Sequence, residues 1–278
     1  MKPGRRAVIT SIPPRLERTV QGNPNAGPAY QTHCIRSWIK AGFSVISLNA
    51  ADELPELTAA YPEVAFELAE RTAHERWGVP LVPIVDLVAC LRRRGHAIAG
   101  IVNADIFTLA APDYFDRLLG LCDGGVAYGM RVDVSDLSST AQAEFYAFGY
   151  DFFFFDVGAA AAVTTTDFVM GMPWWDLWFP MALSWAGLRL NRIFGVTAFH
   201  LKHPERTGGL LDREWRAFYE LTRAQVADQL TRSSDPVFHR LCAGAAALGG
   251  TADWQNDAIA FGKMVMAYLA QAASPHQL

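Results

Sequence analysis

The chain has 278 residues, 51% apolar, 12% aromatic and 19% charged, with 24 basic against 28 acidic side chains. That composition excludes a disordered or collagen-like chain. A net charge of −4 and a pI near 6.0 lack the footprint of a nucleic-acid binder. The four cysteines, Cys34, Cys90, Cys122 and Cys242, form no C-x-x-C pair and sit among apolar neighbours, which predicts buried free thiols and a cytoplasmic chain. Only Ala7-Val8-Ile9 follow Arg5-Arg6 before polar and proline residues, too short an apolar core for a secretion signal.

In chain order, Ala7 to Thr10 reads as a buried strand running into the turn Ser11-Ile12-Pro13-Pro14. The spacing of Cys34, Ile35, Trp38 and Ile39 predicts a helix over 32–41, stopped by Gly42, with a second strand over 43–48. Helices over 51–61 and 84–94 then alternate with strands over 64–68 and 97–102, and such alternation implies a mainly parallel sheet covered on both faces. After a helix over 114–122 the rhythm changes. Gly125 to Met130 and Tyr150 to Asp156 read as later strands open to antiparallel pairing, and the apolar run Gly195 to Phe199 ends at His200. Segments 212–230 and 258–272 predict a helical C-terminal part, with Ser233-Ser234-Asp235-Pro236 as a joint. The organisation expected is one domain, a core over about 1–205 and a helical region over about 206–278. Phe168 to Leu188 carries one formal charge, Asp176, and is long enough to cross a bilayer. Pro173, Pro180 and that carboxylate argue against a transmembrane span, leaving core or a peripheral membrane or protein contact as its use.

Five polar positions are candidates for chemistry. Asn103-Ala104-Asp105 follows the strand over 97–102; alternation puts both polar side chains on one side, where they can hold Mg²⁺ or Mn²⁺ and a diphosphate, or simply turn the chain. Asp176 lies among Trp174, Trp175 and Trp178: indole faces can stack sugars, and burial would raise the carboxyl pKa toward that of a general base, while the alternative is a helix cap at Leu177. His200-Leu201-Lys202-His203 offers a metal ligand and a phosphate partner at a strand end. Asp151 can meet a substrate hydroxyl or begin a strand, and Arg71 follows the third strand at a place suited to a phosphate contact. The chain has no G-x-G-x-x-G, no G-x-x-x-x-G-K-[ST] and no G-x-S-x-G, which counts against dinucleotide oxidoreductases, P-loop NTPases and α/β-hydrolases.

Taken in order, Thr10-Ser11-Ile12-Pro13, Asn103-Ala104-Asp105-Ile106, Gly149-Tyr150-Asp151-Phe152, the segment Gly171 to Trp178 and His200 resemble a GT-A-type, nucleotide-sugar-dependent glycosyltransferase over roughly the first three-quarters of the chain. The resemblance implies a Rossmann-like α/β fold and transfer of a sugar from a nucleoside diphosphate donor to a hydroxyl of a glycan or glycoconjugate. It implies that Thr10, Ser11 and Ile12 line the nucleotide pocket, that Asp105 and Asn103 stand at the D-x-D position with His200 as a late metal ligand, and that Asp176 is the base of an inverting reaction. Asp151, Trp174 and Trp175 would meet the acceptor. Asn103 departs from the motif and removes one negative charge, so the diphosphate would be balanced either by Mn²⁺ or Mg²⁺ at a weaker site or, instead, by Arg71 or Lys202. Two alternatives remain: a noncatalytic glycan-binding or scaffold protein of this fold, and a sugar nucleotidyltransferase, which should carry a glycine- and base-rich loop where this chain has Ser11-Ile12-Pro13-Pro14-Arg15.

Overall fold

The computed structural model describes residues 6–17, 26–137, 143–146, 148–164, 167–203, 209–248 and 254–278. β1 (Ala7–Thr10) is buried along its whole length, and α1 (Gly27–Lys40) begins ahead of the predicted 32–41 because Pro28 suits a first helical turn. β2 (Ser44–Asn49), α2 (Leu54–Ala60), β3 (Ala65–Leu68), α3 (His74–Trp77), α4 (Ile84–Arg93) and β4 (Ile98–Val102) carry the βα alternation as the periodicity predicts, with α3 added. Next come β5 (Ile106–Phe107), α5 (Pro112–Leu119), β6 (Gly125–Gly129), β7 (Arg131–Val134), β8 (Glu144–Phe145), β9 (Phe152–Asp156) and α6 (Val157–Ala160). The remainder is α7 (Trp175–Trp185), β10 (Arg189–Phe194), β11 (Ala198–Leu201), α8 (Gly209–Leu230), α9 (Pro236–Ala247), α10 (Trp254–Ala272) and β12 (Ser274–Gln277). The boundary expected near 205 lies outside the described residues.

Eight strands form the main sheet in the order β12-β10-β6-β9-β4-β1-β2-β3. All pairs are parallel except those of β9, which runs antiparallel between β4 and β6, so the fold is the mixed, mainly parallel α/β sheet that the alternation predicts. A second sheet, β5-β11-β7-β8, stands beside it. Two strands of the main sheet escape the sequence pattern. In β10, Arg189 and Arg192 interrupt the apolar signal, yet Leu190, Asn191 and Ile193 are buried. β12 is polar and follows α10 directly, so the C-terminal part is not wholly helical: it returns to the main sheet parallel to β10.

The core lies on both faces of β9. Phe152 and Phe154 point to one layer, where Phe154 meets Trp38, Phe43 and Phe115. Phe153 and Phe155 point to the other, against Trp175 and Phe179 of α7. α7 thereby settles the use of the apolar segment: Trp175, Leu177, Trp178, Phe179, Met181 and Leu183 are all buried, so the stretch builds core and offers no peripheral contact face. No helix among the described residues is long and apolar enough to cross a membrane. All four cysteines are buried, and none of them is in a disulfide.

Gly100 of β4 stands opposite Phe154 in the antiparallel register, and a Cβ there would lie 2.5 Å from the Phe154 ring. Gly100→Ala should therefore cost about 1–3 kcal/mol by overpacking, read as a lower urea midpoint with an unchanged slope; wild-type stability would show that the ring shifts freely.

Candidate functional site

The small sheet sets the site's register. In its parallel β7–β11 pair Asp133 is the partner of His200, and in the antiparallel β5–β11 pair His200 stands opposite Ile106, next to Asp105. Neighbouring positions on one face put side chains within reach. His200 Nδ1–H accordingly donates to Asp133 Oδ1 at 3.0 Å, which turns Nε2 to within 3.3 Å of Asp105 Oδ2. Arg131, two residues before Asp133 and so on the same side of β7, donates from Nε to Asp133 at 2.8 Å and from Nη1 to Asp151 at 2.9 Å. Its guanidinium lies 3.9 Å from the centre of the Tyr146 ring.

The chain leaves β11 after Leu201, and His203 turns back so that its ring centre is 5.1 Å from that of His200. Asp105, His200 and His203 then offer donor atoms that all lie within 4.8 Å of one another. One carboxylate and two imidazoles fit a divalent ion of the Mn²⁺ kind, and fit Mg²⁺, which takes oxygen ligands, less well. Burial pulls the His200 pKa down, but hydrogen bonds with Asp105 and Asp133 outweigh it and raise the net value. Burial pushes the Asp133 carboxyl up, yet the bond from His200 and the Arg131 charge hold it below the usual range.

The second half of the site lies at the end of the main sheet where β4 and β6 stop and β9 begins. Asn103 N–H donates to the Asp151 carbonyl at 3.4 Å, and Asn103 Nδ2 donates to Asp151 Oδ1 at 3.1 Å. The expected pair Asn103–Asp105 thus divides, Asp105 turning to His200 and Asn103 to Asp151. Asp151 is 3% exposed, and its Oδ1 accepts from both Arg131 and Asn103. Burial raises its pKa against the opposing pull of Arg131.

Asp176 occupies the first turn of α7 without capping the helix; Trp174 takes the cap position at φ 75°, the only non-glycine residue of positive φ among the described residues. The Asp176 carboxylate accepts the Tyr150 N–H at 3.2 Å and presses on Gly149, where φ is +107° and a Cβ would sit 2.0 Å from Oδ2, so only glycine fits. Burial first and the Asp151 charge second push the Asp176 pKa up to about 7, against hydrogen bonds from backbone N–H groups.

The other expected residues divide. Thr10 is buried at the end of β1; its Oγ1 and Asp151 Oδ2 have no hydrogen-bond partner among the described residues. Ser11 is partly exposed beside it. Ile12 is fully buried, its N–H donating to Ser47 and its carbonyl accepting from Asn49, so its side chain faces the core. Trp174 and Trp175 are 2% and 3% exposed and pack at tilted angles against Trp215 and Phe153, which leaves neither ring face open to a sugar. Arg71 pairs bidentately with Asp86 at 2.5 and 2.8 Å beside a cavity of about 350 Å³ that includes none of the His200 cluster. Lys202 is exposed and pairs with Glu144.

Sequence reasoning passed over Arg131 and Asp133, although the alternation of R-V-D-V was the available signal. His203 is the second histidine of the H-x-x-H run.

No family model matches the sequence, and no curated protein matches it. The structure superposes on Staphylococcus aureus TarS 1–349, solved in complex with UDP-GlcNAc, with a TM-score of 0.54 at 12% identity, covering 96% of this chain and 83% of that one. A structure from Desulfovibrio desulfuricans G20 described as a nucleotide-diphospho-sugar transferase aligns more loosely, with a TM-score of 0.42 at 12% identity over 96% of this chain and 97% of that one. The likeness to TarS, over nearly the whole chain, shows that this protein shares the GT-A-like fold of that structure.

Proposed function

We propose that the chain is a nucleotide-sugar-dependent glycosyltransferase acting on a hydroxyl of a glycan or glycoconjugate. One observation carries the reading: at the strand ends of a GT-A-like sheet, the donor set Asp105, His200 and His203 shares an electrostatic network with Asp176, a carboxylate whose pKa is near neutrality. The UDP-GlcNAc bound by TarS supports a nucleotide sugar as the donor class.

A divalent cation held by Asp105, His200 and His203 would supply positive charge to the leaving diphosphate. The chain's own residues do the rest. Asp133 keeps the His200 ring turned toward Asp105, and Arg131 holds Asp133 and Asp151 apart in fixed positions. Thr10 and Ser11 receive the nucleotide at the end of β1. Asp176 accepts the proton of the acceptor hydroxyl. The acceptor oxygen then bonds to the anomeric carbon, the carbon–oxygen bond to the diphosphate breaks, and its electron pair leaves with the diphosphate. A base on the face opposite the leaving group gives inversion. Nucleotidyl transfer is disfavoured by the loop after β1, which runs Ser-Ile-Pro-Pro-Arg-Leu-Glu and is pinned at Ile12.

The test is a thermal-shift screen of nucleoside diphosphates and their sugars, with and without Mn²⁺, since a ligand bound by the native state raises its Tm by mass action. One nucleotide should shift the protein, more strongly with Mn²⁺. Absence of any shift would turn the assignment to a noncatalytic glycan-binding protein. His203→Ala should weaken Mn²⁺ binding about tenfold or more, as measured by calorimetry, because it removes one of three donors.

Asp176→Asn should lower kcat by about 10²–10⁴-fold while donor binding persists; equal loss of both would make Asp176 structural. Since the base acts deprotonated, kcat/KM should rise with pH to a plateau, with a midpoint near the Asp176 pKa of about 7. The stability effect has the opposite sense. A folded pKa above the ordinary 3.8 stabilises below that value and is lost as pH rises through about 7. Asp176→Asn should therefore gain Tm relative to wild type on the alkaline side of that midpoint.

A further inference from the structure

We propose that α1, through Tyr30 and Gln31, is the splint that positions Asp105 and His200 for the cation; the inference rests on the cation reading above. Three successive carbonyls of the Asp105 segment each accept a bond from a side chain of α1: Ala104 from Gln31 Nε2 at 2.7 Å, Asp105 from Tyr30 Oη at 2.6 Å and Ile106 from Trp38 Nε1 at 2.9 Å. The Tyr30 oxygen also accepts the N–H of Leu201 at 2.8 Å. One buried atom thus joins the backbone of Asp105 to that of the residue following His200.

The splint is needed because the ladder between these two segments is short. β5 contributes only Ile106 and Phe107, paired with His200 and Phe199, and so brief a pairing does not hold its geometry unaided. A ligand set tolerates errors of only about 0.5 Å. Tyr30 is 1% exposed and packs edge-on against Phe107, which stacks on Phe199 at 5.3 Å. In so apolar a box hydrogen bonds gain strength, and an unpaired group is correspondingly costly. Burial pushes the phenol pKa far up, so it remains a neutral hydroxyl able to donate and accept at once. Neither Tyr30 nor Gln31 is a ligand; each acts through backbone it fixes.

Tyr30→Phe keeps the ring and removes both bonds. Tyr128→Phe is the matched control: its phenol donates to the Leu269 carbonyl at 3.0 Å in the core on the opposite side of the main sheet. Both variants of the full chain should lose Tm. Mn²⁺ titration followed by electron paramagnetic resonance should separate them, with Tyr30→Phe weakened about tenfold or more and its bound-ion spectrum broadened, and Tyr128→Phe within about twofold of wild type. Equal affinities in the two variants overturn the proposal and leave the cation reading standing. A wild-type protein that binds no Mn²⁺ overturns both. If Tyr30→Phe does not fold, Gln31→Leu decides: a weakened affinity supports the splint, and an unchanged one overturns it.

Discussion

A strand with four consecutive phenylalanines has no solvent side, and β9 dictates the rest of the architecture for that reason. Its alternate rings need two apolar layers, which α1 and α5 supply on one face and α7 on the other. Both backbone edges are covered as well, by β4 and β6, so the strand satisfies its hydrogen bonds without water. The polar residue that precedes the run, Asp151, is thereby fixed at the end of the sheet facing Asn103 and Arg131. Core packing and site placement are one constraint here: sliding β9 by one residue would exchange every ring between layers and move Asp151 off its partners.

The charges collected there do not balance. Asp105, Asp133, Asp151 and Asp176 stand against Arg131 and the two histidines His200 and His203, all of them at least partly buried. Buried ion pairs are weak sources of stability, and breaking one side of them is costly, so the excess negative charge needs relief. The proton retained at Asp176, whose pKa is pushed up to about 7 by burial first and by the Asp151 charge second, is one form of it. An added cation between Asp105 and the two histidines is the other.

Most of the layered fold was legible because strands buried on both faces are largely apolar runs, and β1, β2, β4, β6 and β9 read that way. β10 and β12 were not, since arginines and a polar tail conceal pairings that only the neighbouring strand determines. In the site, Asp105, His200 and Asp176 carried local signals: a polar pair at a strand end, an H-x-x-H run and an acid among tryptophans. Trp174 and Trp175 misled, because a tryptophan cluster in sequence does not say whether the ring faces meet water or one another. Tyr30, Arg131 and Asp133 act across long separations in sequence. Their partners are set by sheet register, which no local pattern encodes.

The small sheet is assembled entirely from excursions between strands of the large one: β5 follows β4, β7 and β8 lie between β6 and β9, and β11 follows β10. The four residues Asp105, Asp133, His200 and His203 consequently have no reason to be near one another until the large sheet has taken in β10. A partly folded chain that lacks this strand presents scattered acids and histidines without a chelating geometry. An ion held by these residues would therefore require the large sheet to be formed through β10.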